Sequence, residues 1–105
     1  MPAPEPVADI RLDKWLWHAR LYRARSLAAA AVEGGHVRVN GIRVTRPGRS
    51  VRPGDTLTLV QGGRVRVLRI LAPGARRGPA AEAATLFLDL DPPSQAQQPP
   101  APALE

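Results

Sequence analysis

A chain of 105 residues with 12 prolines, 9 glycines and no cysteine has room for one small domain with short tails; it has no disulfides, thiolate metal ligands or cysteine nucleophile, and its modest core leaves no deep, walled-off cavity. Its 15 basic side chains all lie within residues 10–78, against only Asp13, Glu33 and Asp55 there, so that stretch carries a charge of +12 while both flanks are acidic. Such a charge repels itself unless it meets a polyanion, which points to a nucleic-acid partner.

Residues 1–9 are rich in Pro and Ala, which predicts a disordered tail. A helix is expected from about Arg11 to Ala19. Leu12, Trp15, Leu16 and Ala19 share one apolar stripe, and Arg11, Lys14 and His18 make a basic edge beside it. A second helix is expected from Ser26, a candidate cap, to Glu33, where Gly34-Gly35 stops it. The small residues Ala28 to Ala31 allow the two helices to approach closely.

The period then changes from helical to alternating. Val37-Arg38-Val39-Asn40-Gly41-Ile42-Arg43-Val44 reads as a hairpin about Asn40-Gly41. That register sets Val39 against Ile42, Arg38 against Arg43 and Val37 against Val44. The four apolar side chains share a buried face, and the two arginines oppose each other on the exposed one. Like charges so placed destabilise a strand pair, and a phosphate between them would relieve the repulsion. Arg46-Pro47-Gly48 and Arg52-Pro53-Gly54-Asp55 are turn sequences. Strands are expected over Thr56 to Val60 and, after a Gln61-Gly62-Gly63 turn, from Val65 to Leu71, with an irregularity at Val67-Leu68 where alternation slips. A loop holding Arg76-Arg77 leads to a last strand from Thr85 to Leu90, with Leu86, Leu88 and Leu90 on one face. Residues 92–105, a Pro/Gln/Ala stretch, predict a second disordered tail. The fold class is α+β: two N-terminal helices packed on a small, mostly antiparallel sheet, in one domain over 10–91.

The series Arg11-Leu12-Asp13-Lys14-Trp15-Leu16, Arg20, Arg25-Ser26, Gly34-Gly35-His36-Val37-Arg38-Val39-Asn40-Gly41 and Val51-Arg52-Pro53-Gly54-Asp55 closely resembles the S-four RNA-binding domain. Trp15-Leu16-Trp17, the Val65 to Leu71 strand and Arg76-Arg77-Gly78-Pro79-Ala80 with Glu82-Ala83-Ala84 are similar to its bacterial heat-shock-protein-fifteen subfamily. The resemblance implies a non-catalytic protein that binds structured RNA, namely ribosomal RNA of the large subunit, in ribosome rescue. It further implies an RNA surface of Arg11, Lys14, Arg20, Arg23, Arg25, Ser26, His36, Arg38, Asn40 and Arg43. Arginine suits that surface because its planar fork grips phosphate bidentately and stacks on exposed bases. Asn40 has a sufficient role in the turn, and Asp13 reads as an internal partner of a neighbouring arginine.

The aromatic set of Trp15, Trp17, Tyr22 and Phe87 forms no alternating platform for stacking single strands, so recognition by shape and phosphate geometry is expected. Arg-Leu-Asp also surrounds the catalytic aspartate of pseudouridine synthases, but here no paired carboxylates or nucleophile with a base accompany it, and no Gly-Lys-Ser/Thr loop is present. Two histidines are too few for most metal sites, and no metal or cofactor is expected. The longest unbroken apolar run, Leu27 to Val32, is far short of a membrane span, and the opening residues lack a secretion signal. Cytoplasmic location and a monomeric state are the expectations. The alternatives are a general binder of tRNA, small RNA or duplex DNA, and a basic protein-interaction module.

Overall fold

The structure, a computed structural model, describes residues 9–90; the tails expected at 1–9 and 92–105 lie outside that range except for Asp9. A short strand β1 (Ile10–Arg11) leads into helix α1 (Leu12–His18), followed by α2 (Arg25–Glu33). Then come β2 (Val37–Val39), β3 (Ile42–Val44), β4 (Ser50–Val51), β5 (Thr56–Gln61) and β6 (Arg64–Ile70). A short helix α3 (Ala80–Ala83), a 3-10 turn over Ala84–Leu86 and β7 (Phe87–Asp89) complete the order. The main sheet has the order β3-β2-β5-β6-β7 with every pair antiparallel, and β1 pairs with β4 as a separate two-stranded ladder. The expected α+β architecture of two helices on an antiparallel sheet is what the chain adopts.

One apolar core joins the layers. Leu12, Trp15 and Leu16 of α1 and Ala28 and Val32 of α2 meet Val37, Val39, Leu57, Leu59, Leu68 and Ile70 of the sheet, all within 1% of complete burial. Trp15 stacks edge-on against Phe87, and its indole N–H donates to the Ala72 carbonyl at 2.8 Å, so the ring is buried without orphaning its donor.

Local chemistry explains where elements begin and end. The first two amides of α1 donate to the loop before β4, Leu12 N–H to Arg49 O at 2.8 Å and Asp13 N–H to Pro47 O at 3.1 Å, so no capping side chain is needed. Ser26 is not the cap of α2. Ala24 holds the extended backbone of that position (φ −136°, ψ 148°) without a side-chain bond, and Ser26 is already helical and exposed. At the other end, Gly35 N–H donates to Val32 O and His36 N–H to Ala31 O, with Gly35 at φ +79°, the arrangement that glycine alone adopts cheaply.

The β2–β3 register is the expected one, with Asn40 and Gly41 at φ 52° and 85°. Ile42 departs from expectation: it is 71% exposed, because β3 is the sheet edge and only Val44 at its far end is covered. The slip expected at Val67-Leu68 is absent. Pairing with β5 runs unbroken from Thr56↔Arg69 to Gln61↔Arg64, leaving Val65 and Val67 on the outer face and Arg66 on the inner one. Arg66 is accommodated there by Asp89, at 3.0 Å, and by the Phe87 ring, 5.3 Å from its guanidinium carbon. The last strand also differs: Leu86 is buried in the 3-10 turn, whereas Leu88 and Leu90 are exposed rather than sharing its face.

Candidate nucleic-acid interface

The buried anchor of the basic surface is Asp13, in the first turn of α1. Its carboxylate accepts from Arg11 Nε at 3.1 Å and lies 3.5 Å from Arg25 Nε at the start of α2. Burial opposes its ionisation, but the Arg11 hydrogen bond, the charges of Arg25 and Arg11 and the Lys14 amide hold the carboxyl below its ordinary value. The Arg11 guanidinium is correspondingly held above its own. Asp13 is thus the internal partner expected, and it joins the two helices' basic residues through one carboxylate. Lys14 and Ser26 are exposed beside this cluster.

A second group belongs to the hairpin. Arg38 and Arg43 are paired across β2 and β3 and both exposed, with Arg38 Nη1 donating to Gly41 O at 3.3 Å. They stand on the sheet face away from the helices, since Val37 and Val39 point into the core. The Arg43 side chain passes close to Gly35, where an added Cβ would lie 3.3 Å from its Cδ. The Asn40 amide is committed to the turn, with Oδ1 accepting from Thr56 N–H at 2.9 Å and Nδ2 donating to Asp55 at 3.2 Å. His36 is exposed, with its ring folded over Gly34.

Arg20 and Arg23 form a third group, on the loop between the helices. Arg20 has φ +60°, and its Nε donates to Gly78 O at 2.6 Å. That loop is clasped further by Arg77 on Tyr22 O (3.3 Å) and by Gln61 on Leu21 O (2.8 Å). Arg77 also lies 5.7 Å from the Trp17 ring centroid. His18, expected on the basic edge of α1, is instead buried, with Nδ1 3.2 Å from Pro73 O.

Arg46, which the sequence presented only as part of a turn, and Arg49, which it did not single out, line an open concavity of about 340 Å³ with Ile42, Arg43, Val44 and Thr45. The three-residue steps from Arg43 to Arg46 and from Arg46 to Arg49 were the available signal; an arginine in a turn is otherwise indistinguishable from a solvated one. The described residues contain no group of three or more His, Asp or Glu placed to hold a metal. None of their helices is long and apolar enough to cross a membrane.

Residues 10–57 match the family model described as the S4 domain. Heat shock protein 15 of Escherichia coli K12 is 46% identical over 83 residues, 79% of this chain and 62% of that protein, so the chain spans about three-fifths of that relative's length. A factor of Listeria innocua named the RQC P-site tRNA stabilizing factor is 34% identical over 80 residues, covering 74% of this chain and 86% of that protein. A solved structure of Vibrio cholerae heat shock protein 15, described as trimeric, superposes with a TM-score of 0.73 at 44% identity, covering 78% of this chain and 82% of that one. With its helix pair, hairpin and edge-to-edge sheet order all in place, the chain belongs to the S4-domain family and, within it, to the heat shock protein 15 group.

Proposed function

We propose that this protein is a non-catalytic binder of structured RNA, acting through residues 10–91 on large-subunit ribosomal RNA in a rescue or quality-control role. The observation that carries the reading is the charge partition: a stretch at +12 in which Lys14, Arg23, Arg38, Arg43, Arg46 and Arg49 have no carboxylate partner among the described residues. Such a surface is an electrostatic footprint for phosphate. The name of one relative, a stabilizing factor for P-site tRNA, supports a ribosomal target.

The RNA-contacting side chains are Arg11, Lys14, Arg20, Arg23, Arg25, Ser26, His36, Arg38, Asn40 and Arg43. Arg20 and Asn40 have an additional, structural role in holding their loops. The protein works in the cytoplasm as a monomer, although the Vibrio cholerae relative is described as trimeric; sedimentation equilibrium of the pure chain distinguishes the two states.

The deciding experiment is sucrose-gradient fractionation of cell extract at low and moderate salt, with the protein followed by immunoblot. Co-migration with free large subunits, abolished by RNase, is the expected result. A protein that stays at the top of the gradient overturns the ribosomal target. Equal binding of folded RNA and equal-length duplex DNA at about 150 mM salt would favour the general nucleic-acid reading.

A further inference from the structure

We propose that Arg43, Arg46 and Arg49 form a built phosphodiester-binding subsite at the sheet edge, which takes one or two consecutive backbone phosphates of a bound RNA. The proposal rests on the RNA-binding reading and extends it by two residues and a defined location. Three guanidinium-bearing residues line one concavity of about 340 Å³, near the lower end of the size of small-ligand sites, roughly 300–1,000 Å³. None of the three has a carboxylate within ion-pair distance among the described residues, whereas Arg11, Arg25, Arg52, Arg66 and Arg76 all do. Like charges around a concavity cost free energy that a bound anion reverses, and arginine forks bind phosphate oxygens bidentately.

The backbone that carries the cluster is fixed. Arg49 N–H donates to Arg46 O at 3.0 Å, closing the turn, and Pro47 O and Arg49 O accept the first amides of α1 at 3.1 and 2.8 Å. Arg46 and Arg49 therefore leave a turn pinned to the helix layer, and the Arg43 stem passes close to Gly35. The same turn receives Arg11 on its other side, since a side chain added at Gly48 would meet the Arg11 guanidinium carbon at 3.5 Å. The subsite thus lies between the arginines of the helix layer and those on the outer sheet face, bridging two groups that otherwise face different directions. One RNA strand passing over the β3 edge touches both groups.

The first arm of the test is an NMR titration of the full chain with the dinucleotide uridylyl-uridine, which carries a single phosphodiester. The Nε–H resonances of Arg43, Arg46 and Arg49 should follow one saturating isotherm while those of Arg64 and Arg69, also exposed, do not. Uniform, non-saturating shifts across all exposed arginines overturn the subsite. In the second arm, Arg46→Gln with Arg49→Gln should melt like the wild type. It should lower affinity for folded RNA about 10-fold or more at ~150 mM salt and flatten the log-log salt slope by up to about 2 units. The control pair, Arg64→Gln with Arg69→Gln, removes the same charge and should have a smaller effect; equal effects also overturn the subsite. If the dinucleotide saturates at these three residues but the wild-type chain binds no folded RNA, the anion subsite stands and the RNA reading fails.

Discussion

Burial would by itself drive the Asp13 carboxyl towards its neutral form, and the Arg11 hydrogen bond together with the Arg25 and Arg11 charges reverses that preference. A carboxyl whose folded value lies below its unfolded one, about 3.9, contributes stability that is complete above that pH and lost as pH falls through the folded value. Asp13→Asn should therefore lower stability at neutral pH by about 1–3 kcal/mol and remove this group's part of the acid limb, as denaturant melts between pH 2 and 7 would show. The same variant separates two effects on RNA. The added unit of positive charge alone would strengthen binding, whereas release of Arg11 and Arg25 weakens it; a net loss of affinity shows that Asp13 acts by positioning them. Tyr22 is a contrasting case. Its hydroxyl is buried without a partner, and burial raises its pKa. Tyr22→Phe should raise stability by up to about 1 kcal/mol in thermal melts, since an unsatisfied polar group is removed at nearly constant shape. A loss of that size would instead reveal a water bridging the hydroxyl.

At the level of single elements, the hairpin was legible down to its register because Asn40-Gly41 accepts positive φ at both turn positions and that pairing sets all four apolar residues on one face. The fate of Ile42 was not legible, because alternation specifies a face but not whether anything covers it. Ser26 misled for a related reason: a cap depends on backbone dihedrals, and those put Ala24 at the boundary. The ladder of β1 with β4 escaped notice because two-residue strands carry no period, although it and the 46–49 turn seat α1. Of the candidate site, the arginines and Asp13 could be named from the motif, but their division into three groups depends on tertiary placement. Two tests belong at this scale. Arg38→Gln with Arg43→Gln should keep the fold, since both side chains are exposed and repel each other, and should flatten the RNA salt slope by up to about 2 units. An unchanged slope removes the pair from the site. Gly35→Ala should cost about 1 kcal/mol in denaturant melts, because φ +79° penalises a Cβ, and the new methyl would also displace the Arg43 stem.

Across the whole molecule the outer sheet face changes character from one edge to the other. The row Arg43, Arg38, Thr58, Val67 runs from the β3 edge inward, and beyond it lie the exposed Val60, Val65, Leu88 and Leu90, with Arg69 the one charge among them, paired with Leu88. The sequence hid this face, because an expected slip at Val67-Leu68 left the face of Val65 undetermined and a shared face for Leu86, Leu88 and Leu90 grouped the exposed leucines with a buried one. With the slip absent, the inner face keeps Leu68 and Ile70, and the outer one keeps the valines. Phosphate binding needs the basic end and has no use for the apolar end, since apolar side chains offer nothing to a phosphodiester backbone. Val65→Thr with Leu88→Thr should therefore change RNA affinity by no more than about twofold and stability by about 0.5 kcal/mol per site, the range of exposed positions without special contacts. Filter binding and thermal melts on the same preparation measure both quantities. A tenfold loss of affinity with an unchanged melt would extend the RNA footprint across the entire sheet face, and the recognition surface would then be the whole outer layer rather than its basic edge.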